Sequence, residues 1–250
     1  MQQLAHEGIG NFLLMDPDKF EESNLNRLVG AKASDIKRQS KKTSIAARLI
    51  KGVNPHAQIQ TVAKKWQEAH EYLRECDVIF GCVDSYAARH ELEILSRRYL
   101  IPYIDIGMDV HKFGDEFLIS GQVILSMPGS LCMRCLGFLR DDLLAEEAKK
   151  YGKAGSKPQV VWSNGVLASA AIGIFTQLFT PWSRNFPETI YLEYDGNLQT
   201  LVSSNRLLAV KEKKCTHFMQ IEDLGDPFWT PIKVREENQE TKQKSSYGQR

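Results

Sequence analysis

The segment Asp77–Val83 (DVIFGCV) constrains the fold more than any other part of the chain. It is a short, nearly unbroken apolar run. A strand that is apolar on both sides has to be covered on both faces, which is the condition of a parallel strand inside an α/β sheet. Ala87–Tyr99 follows as a helix, with Leu92, Ile94 and Leu95 turned inward, and Pro102–Ile106 reads as the next buried strand. Strand, helix and strand within about thirty residues form one parallel crossover unit.

The same alternation runs upstream. Gln2–Glu7 reads as the end of a helix stopped by Gly8, and Asn11–Met15 (NFLLM) as a short buried strand ending at Asp16. Phe20–Gly30 has polar caps and no period, which predicts a loop with a short helical turn. Ser40–Lys51 places Ile45, Ala46, Leu49 and Ile50 at helical spacing and ends at Asn54-Pro55. Ile59–Val62 reads as a strand and Glu68–Arg74 as a short helix. The character changes after Gly107. Phe117–Ser126 alternates like an antiparallel strand, Ser163–Phe179 is a long apolar helix, and Thr189–Tyr194 and Leu198–Asn205 flank the hairpin signal Asp195-Gly196. Together these predict an α/β fold: a Rossmann-like, doubly wound, mainly parallel sheet extended by antiparallel strands. One domain is expected over residues 1–232, followed by a disordered tail over 233–250, where apolar residues almost vanish.

Bulk properties narrow the function classes. The chain has 250 residues, 42% hydrophobic and 25% charged, which suits one soluble α/β domain. A net charge of +1 supplies no field toward nucleic acid or an anionic membrane, so neither is expected as a partner. The run Val166–Phe179 is too short and too interrupted by Ser, Gly, Thr and Gln to span a bilayer. The start MQQLAHEGIG lacks the basic and apolar regions of a secretion signal. Five cysteines, two of them in a Cys-x-x-Cys pair, point to a reducing, cytoplasmic setting and a metal rather than a disulfide framework.

In open parallel sheets, nucleotide chemistry collects at the C-terminal ends of strands. Two such ends carry acids here. Asp16 stands where a carboxylate takes ribose hydroxyls. Asp84 is placed to hold magnesium on phosphates. Asn24, Arg27 and Lys42 lie between them in sequence, and cations of this kind neutralise a triphosphate and its transition state. Singly, each has a plainer reading: an Asp after a strand is often a cap, and loop cations are usually solvated. Apart from Lys42, the basic run Lys37–Lys42 reads as a solvated helix start. Cys76 and Cys82 read as core thiols, and Trp66, Trp162, Trp182 and Trp229 as packing residues. His6, His56, His70, His90 and His111 have no ligand-spaced partners.

The stretch Asp16-Pro17-Asp18-Lys19-Phe20-Glu21-Glu22-Ser23-Asn24-Leu25-Asn26-Arg27 resembles the D-x-D-x-V-x-x-S-N-L-x-R signature of the ThiF/MoeB family, which includes the ubiquitin-activating enzymes; Phe20 replaces Val. Lys42 stands a helix length before Asn54-Pro55. Cys82-Val83-Asp84-Ser85 followed by Arg89 is similar to the family's C-x-D-x-x-x-x-R segment. The similarity runs from residue 1 to about residue 210.

The resemblance implies ATP-dependent adenylation of the C-terminal carboxylate of a ubiquitin-like or sulfur-carrier protein, with magnesium, in a homodimer. Asp16 would bind the ribose, Asn24 and Arg27 the phosphates and the attacking carboxylate, Lys42 the phosphates, and Asp84 the magnesium ion. Arg27, Lys42 and Asp84 would carry catalysis. The family's opening strand and G-x-G-G-x-G loop would lie just before Met1, so an incomplete chain that binds ATP weakly is expected. The rival reading is an inactive ThiF-like pseudoenzyme or fragment that binds a ubiquitin-like protein or an active homologue. A nicotinamide-dependent oxidoreductase is a third, but it leaves the S-N-L-x-R segment without a role. Ubiquitin-activating members often carry a thioester cysteine before the late helix, and Arg140–Gln159 contains none.

Cys132-Met133-Arg134-Cys135 resembles the first half of the family's structural zinc site. Cys215-Thr216-His217-Phe218 offers a second half, with Phe218 where the fourth thiolate belongs. Zinc accepts three thiolates and an imidazole, so Cys132, Cys135, Cys215 and His217 are the candidate ligands.

Overall fold

The computed structural model describes residues 1–149, 160–180, 182–184, 186–210, 213–219 and 224–225. The expected tail over 233–250 and Trp229 lie outside them.

The described strands are β1 (Asn11–Met15), β2 (Gln58–Val62), β3 (Ile79–Gly81), β4 (Tyr103–Phe113), β5 (Glu116–Ser126), β6 (Ile190–Asp195) and β7 (Thr200–Ser203). The α-helices are α1 (Gln2–His6), α2 (Ala33–Lys37), α3 (Lys42–Val53), α4 (Tyr86–Arg98), α5 (Asp141–Lys149), α6 (Val161–Phe179) and α7 (Arg206–Val210). β1 and β2 form a parallel pair, and a second sheet runs β3-β4-β5-β6-β7. In that sheet β3 and β4 are parallel, and the remaining neighbours are antiparallel. The α/β class, with parallel strands extended by antiparallel ones, is therefore the fold the chain adopts.

β5 shows why both faces must be covered. Its side chains alternate with the period of a strand. Ile124 packs with Leu92 and Leu95 of α4, Tyr103 and Tyr191. Val123 and Leu125 face the other way, into Leu167, Ala171 and Ile174 of α6 and Ile104 of β4. A third cluster joins Leu4, Phe12, Leu14, Ile50, Ala57 and Ile172 across α1, β1, α3 and α6. Leu167 is wholly buried, and its truncation to Ala costs about 2–5 kcal/mol. By length and a mean hydropathy of 1.2, α6 could cross a bilayer. In this fold it is a core helix lying on the sheet.

Several boundaries differ from the sequence reading. β3 is confined to Ile79–Gly81, where its pairing with β4 ends at Gly81↔Asp105; Tyr103 packs over Gly81, and a Cβ there would overlap its ring. Cys82, expected in the core, is therefore exposed beyond the strand end. β4 continues past Ile106 to Phe113, because its pairing with β5 holds through Phe113↔Glu116. β7 begins at Thr200 rather than Leu198. Asp195 Oδ1 accepts the N–H groups of Asn197 and Leu198, and Asn197 turns back onto β5, so the connection is a wider loop. Glu68–Arg74 becomes two 3₁₀ turns, Trp66–Glu68 and His70–Glu75. Trp182 is exposed instead of packed away, and Trp162, partly exposed, meets Tyr194 edge-on with ring centroids 6.4 Å apart.

Candidate nucleotide and metal sites

Asp16 follows β1 directly, and its Oδ1 accepts the N–H of Asp18 at 2.8 Å. Burial raises its pKa, opposed by that hydrogen bond and by Lys42. Lys42 is the first residue of α3. Its Nζ lies 2.6 Å from Asp18 Oδ2, so the second acid of the D-x-D segment holds the lysine. The structure thus brings Asp16, Asp18 and Lys42 into one cluster. Asn24 ends the 3₁₀ turn Glu22–Asn24, in the loop where a short helical turn was expected. Arg27 is folded into the same loop and donates to Ser23 O at 2.6 Å and Asn26 Oδ1 at 3.3 Å. Asn24 and Arg27 share no hydrogen bond or ion pair with Asp16 or Lys42 among the described residues.

Asp84 lies three residues past β3, exposed, with no side-chain partner among the described residues. What supports it from behind was not legible in its motif. Arg89 is buried and donates to Val83 O and to Asp105 Oδ2, both at 2.6 Å. Asp105 is wholly buried and also accepts from Tyr103 Oη at 2.9 Å and Gln122 Nε2 at 3.2 Å. Burial pushes the Asp105 carboxyl upward, with Arg89 and these hydrogen bonds pulling against it. Gly107 leaves the room for this network, since a Cβ there would overlap Arg89 and Gln122. The N-terminus of α4, immediately after Asp84 and Ser85, is itself occupied by a carboxylate. Glu147 of α5 accepts the N–H groups of Tyr86 at 3.0 Å and Ala87 at 2.9 Å. This is the favourable placement of an anion on a helix dipole. Asp105, Tyr103, Gln122 and Glu147 are the residues here that motif reading alone did not reach; Asp18 stood in the motif without a role.

The four metal candidates, by contrast, meet directly. Their ligand atoms all lie within 4.8 Å of one another. Cys132 Sγ is 3.6 Å from Cys135 Sγ and 3.4 Å from His217 Nδ1, and Cys135 Sγ is 3.3 Å from the same nitrogen. A tetrahedral zinc ion with S and N ligands has edges of about 3.5–3.8 Å, so the set fits one. Cys132 Sγ accepts the Cys135 N–H at 3.4 Å. Burial raises the Cys132 thiol, followed by the charge of Glu93. At Cys215, burial is outweighed by hydrogen bonds from the N–H groups of His217 and Phe218 and from Cys132 and Cys135, which lower it. Phe218 does not compete for the ligand position; its ring lies under Arg97 of α4. The expected thioester-free segment is described only to residue 149, as the exposed helix α5.

A mixed α/β sheet with acids past its strand ends and a gathered Cys/His cluster describes an α/β fold. A model of the ThiF family matches residues 1–217, and the chain belongs to that family. It is similar to SAMP-activating enzyme E1 of Haloferax volcanii, with 28% identity over 54% of this chain and 47% of the relative. It is also similar to molybdopterin-synthase adenylyltransferase of Haemophilus influenzae, with 30% identity over 41% of this chain and 42% of that protein. The chain thus spans less than half the length of these curated relatives. The solved structure of E. coli MccB with ATP aligns with a TM-score of 0.66 at 18% identity, covering 82% of this chain and 59% of MccB. That likeness shows the fold.

Proposed function

We propose that this chain takes part in ATP-dependent adenylation of the C-terminal carboxylate of a ubiquitin-like or sulfur-carrier protein. The observation that carries the reading is Asp84: an exposed carboxylate past the end of a parallel strand, without a side-chain partner among the described residues, and backed by the buried Arg89–Asp105 pair. Magnesium at Asp84 would supply charge neutralisation on the phosphates. Asp16 would take the ribose hydroxyls, and Lys42, Arg27 and Asn24 would hold the phosphates and the attacking carboxylate. An oxygen of that carboxylate forms a bond to the α-phosphorus as the bond to the bridging oxygen breaks. Pyrophosphate leaves with the electron pair. Positioning and charge neutralisation supply most of the rate in such a displacement. The knot at Cys132, Cys135, Cys215 and His217 would hold one structural zinc ion, since four protein ligands leave no open position for chemistry. A homodimer, expected from the resemblance, remains part of the proposal and is checked by sedimentation equilibrium.

One observation favours a second reading. Lys42 is neutralised by Asp18, and Arg27 is spent on its own loop. A chain whose cations stayed so engaged would bind a ubiquitin-like protein or an active homologue without turnover. Exchange of labelled pyrophosphate into ATP separates the two. The enzyme reading expects exchange that depends on adding a member of a panel of ubiquitin-like and sulfur-carrier proteins. Binding of a panel member without exchange supports the second reading.

A further inference from the structure

Helix α4 carries Arg89, Glu93 and Arg97 one turn apart, and all three are buried. Arg89 serves the Asp84 loop. Glu93 and Arg97 serve the other end of the domain. The Arg97 guanidinium donates from Nη1 to Ser130 O at 3.0 Å, and from Nη2 to Leu131 O at 3.0 Å and Ser126 Oγ at 2.8 Å. Ser130 and Leu131 lead directly into Cys132. The face of the same guanidinium lies 4.8 Å from the ring centroid of Phe218, the residue after His217. Glu93 Oε1 accepts the N–H of Met133, inside the Cys132–Cys135 turn, at 2.9 Å, and the Ser126 hydroxyl at 2.6 Å. Arg97 Nη2 is 3.6 Å from that oxygen.

We propose that Arg97, braced by Glu93, is the positioning residue of the metal knot, and that Phe218 is its counterpart on the second half of the ligand set. The inference rests on the reading of these four ligands as a zinc site. One side chain touches the residues flanking both halves, which lie some eighty positions apart in sequence. Its fork holds two carbonyls ahead of Cys132 while its face holds the ring after His217. Only a planar, delocalised cation does both at once; lysine has the charge but neither fork nor face. Burying a guanidinium and a carboxylate is costly, and an apolar side chain at position 97 would fill the space without that cost. It would leave the Cys132 approach and the Cys215–Phe218 segment unconnected. Residues that orient metal ligands in this way commonly change metal affinity by about 10–100-fold when altered.

The test compares the wild-type chain with Arg97→Lys, Phe218→Leu and Phe218→Trp. Zinc affinity is read by competition with a chromophoric chelator, and the coordination by the thiolate-to-cobalt absorption of the cobalt-loaded protein. Wild type should bind one zinc per chain. Arg97→Lys and Phe218→Leu should bind it about 10–100-fold more weakly while keeping a tetrahedral cobalt spectrum, because the ligands are untouched. Phe218→Trp keeps an aromatic face for the cation and should stay within about threefold of wild type. Leu preserves the hydrophobic contact, so a loss in Leu that Trp restores belongs to the ring and not to bulk packing. Phe218 is only half-buried, so this pair decides the matter even if Arg97→Lys fails to fold. Affinities of Phe218→Leu and wild type within about threefold of each other overturn the proposal. A wild-type chain that binds no zinc under reducing conditions overturns the metal reading and this inference with it.

Discussion

The two ends of α4 make a useful contrast. Just before its N-terminus Asp84 is exposed, while the other groups assigned to nucleotide chemistry are engaged elsewhere: Asp16 with the Asp18 N–H, Lys42 with the Asp18 carboxylate and Arg27 with its own loop. Near its C-terminus the ligand atoms of Cys132, Cys135, Cys215 and His217 already lie within 4.8 Å of one another. The difference follows from what each region is proposed to do. A site that binds and releases a substrate has to leave charge unsatisfied and accessible. A structural site gains by satisfying every ligand and closing. Both depend on buried charge on one helix, Arg89 at one end and Arg97 at the other.

Four experiments would break or sharpen this contrast. The largest effect is expected at the open end. Asp84→Ala should lower carrier-dependent ATP–pyrophosphate exchange by at least about 100-fold, with an unchanged circular dichroism spectrum and full metal content. Undiminished exchange removes Asp84 from the magnesium role. Behind it, Asp105→Ala leaves Arg89 buried and unpaired, which costs about 3–5 kcal/mol. Thermal unfolding should fall by about 6–20 °C, and a shift under 2 °C would mean that the pair does not brace the loop.

At the closed end, stripping the metal with a strong chelator should cost about 4 kcal/mol if zinc is present at a thousand times its dissociation constant. That lowers the melting temperature by about 8–16 °C. Hydrogen exchange should rise around Cys132–Leu139 and Cys215–Phe218 more than around β1. Uniform loosening would contradict the separation of the two regions.

The smallest effect concerns His90, between the two ends. Burial, then the charge of Arg134, lowers its pKa to about 4. The unfolded chain therefore takes up this proton at higher pH than the folded one. The stability is fully present above about pH 6.5 and declines as pH falls toward about 4, by no more than about 3 kcal/mol. In His90→Gln the urea midpoint should lose that part of its pH slope, and an identical slope in both proteins would refute it.

Much of this was legible in the sequence, for identifiable reasons. Asp77–Val83 announced a doubly covered strand because its apolar run has no solvent side. The Cys-x-x-Cys pair is a local spacing readable in the chain, and Cys215/His217 was reached through the family resemblance; the structure brings the four within 4.8 Å. The buried network was illegible for the opposite reason. Arg89 was visible only as the end of a motif and Glu93 and Arg97 carried no signal, because charged residues at helical spacing look the same solvated or buried; β4, β5 and the Cys132 approach make this face interior. Gly107 is similar: its role appears only when Arg89 and Gln122 are seen to occupy the space a side chain would need. The length of β4 was missed because its partner β5 sets it, and not its own composition.

The central claim is that the open end of this domain handles transfer of AMP to a carboxylate. The most direct measurement incubates the protein with magnesium and ATP labelled either at the α- or the γ-phosphorus, with each carrier of the panel and with a copy whose C-terminus is amidated. The account predicts label on the unmodified carrier from α-labelled ATP alone, and none on the amidated copy. Label arriving from γ-labelled ATP, or equal labelling of the amidated carrier, would contradict it.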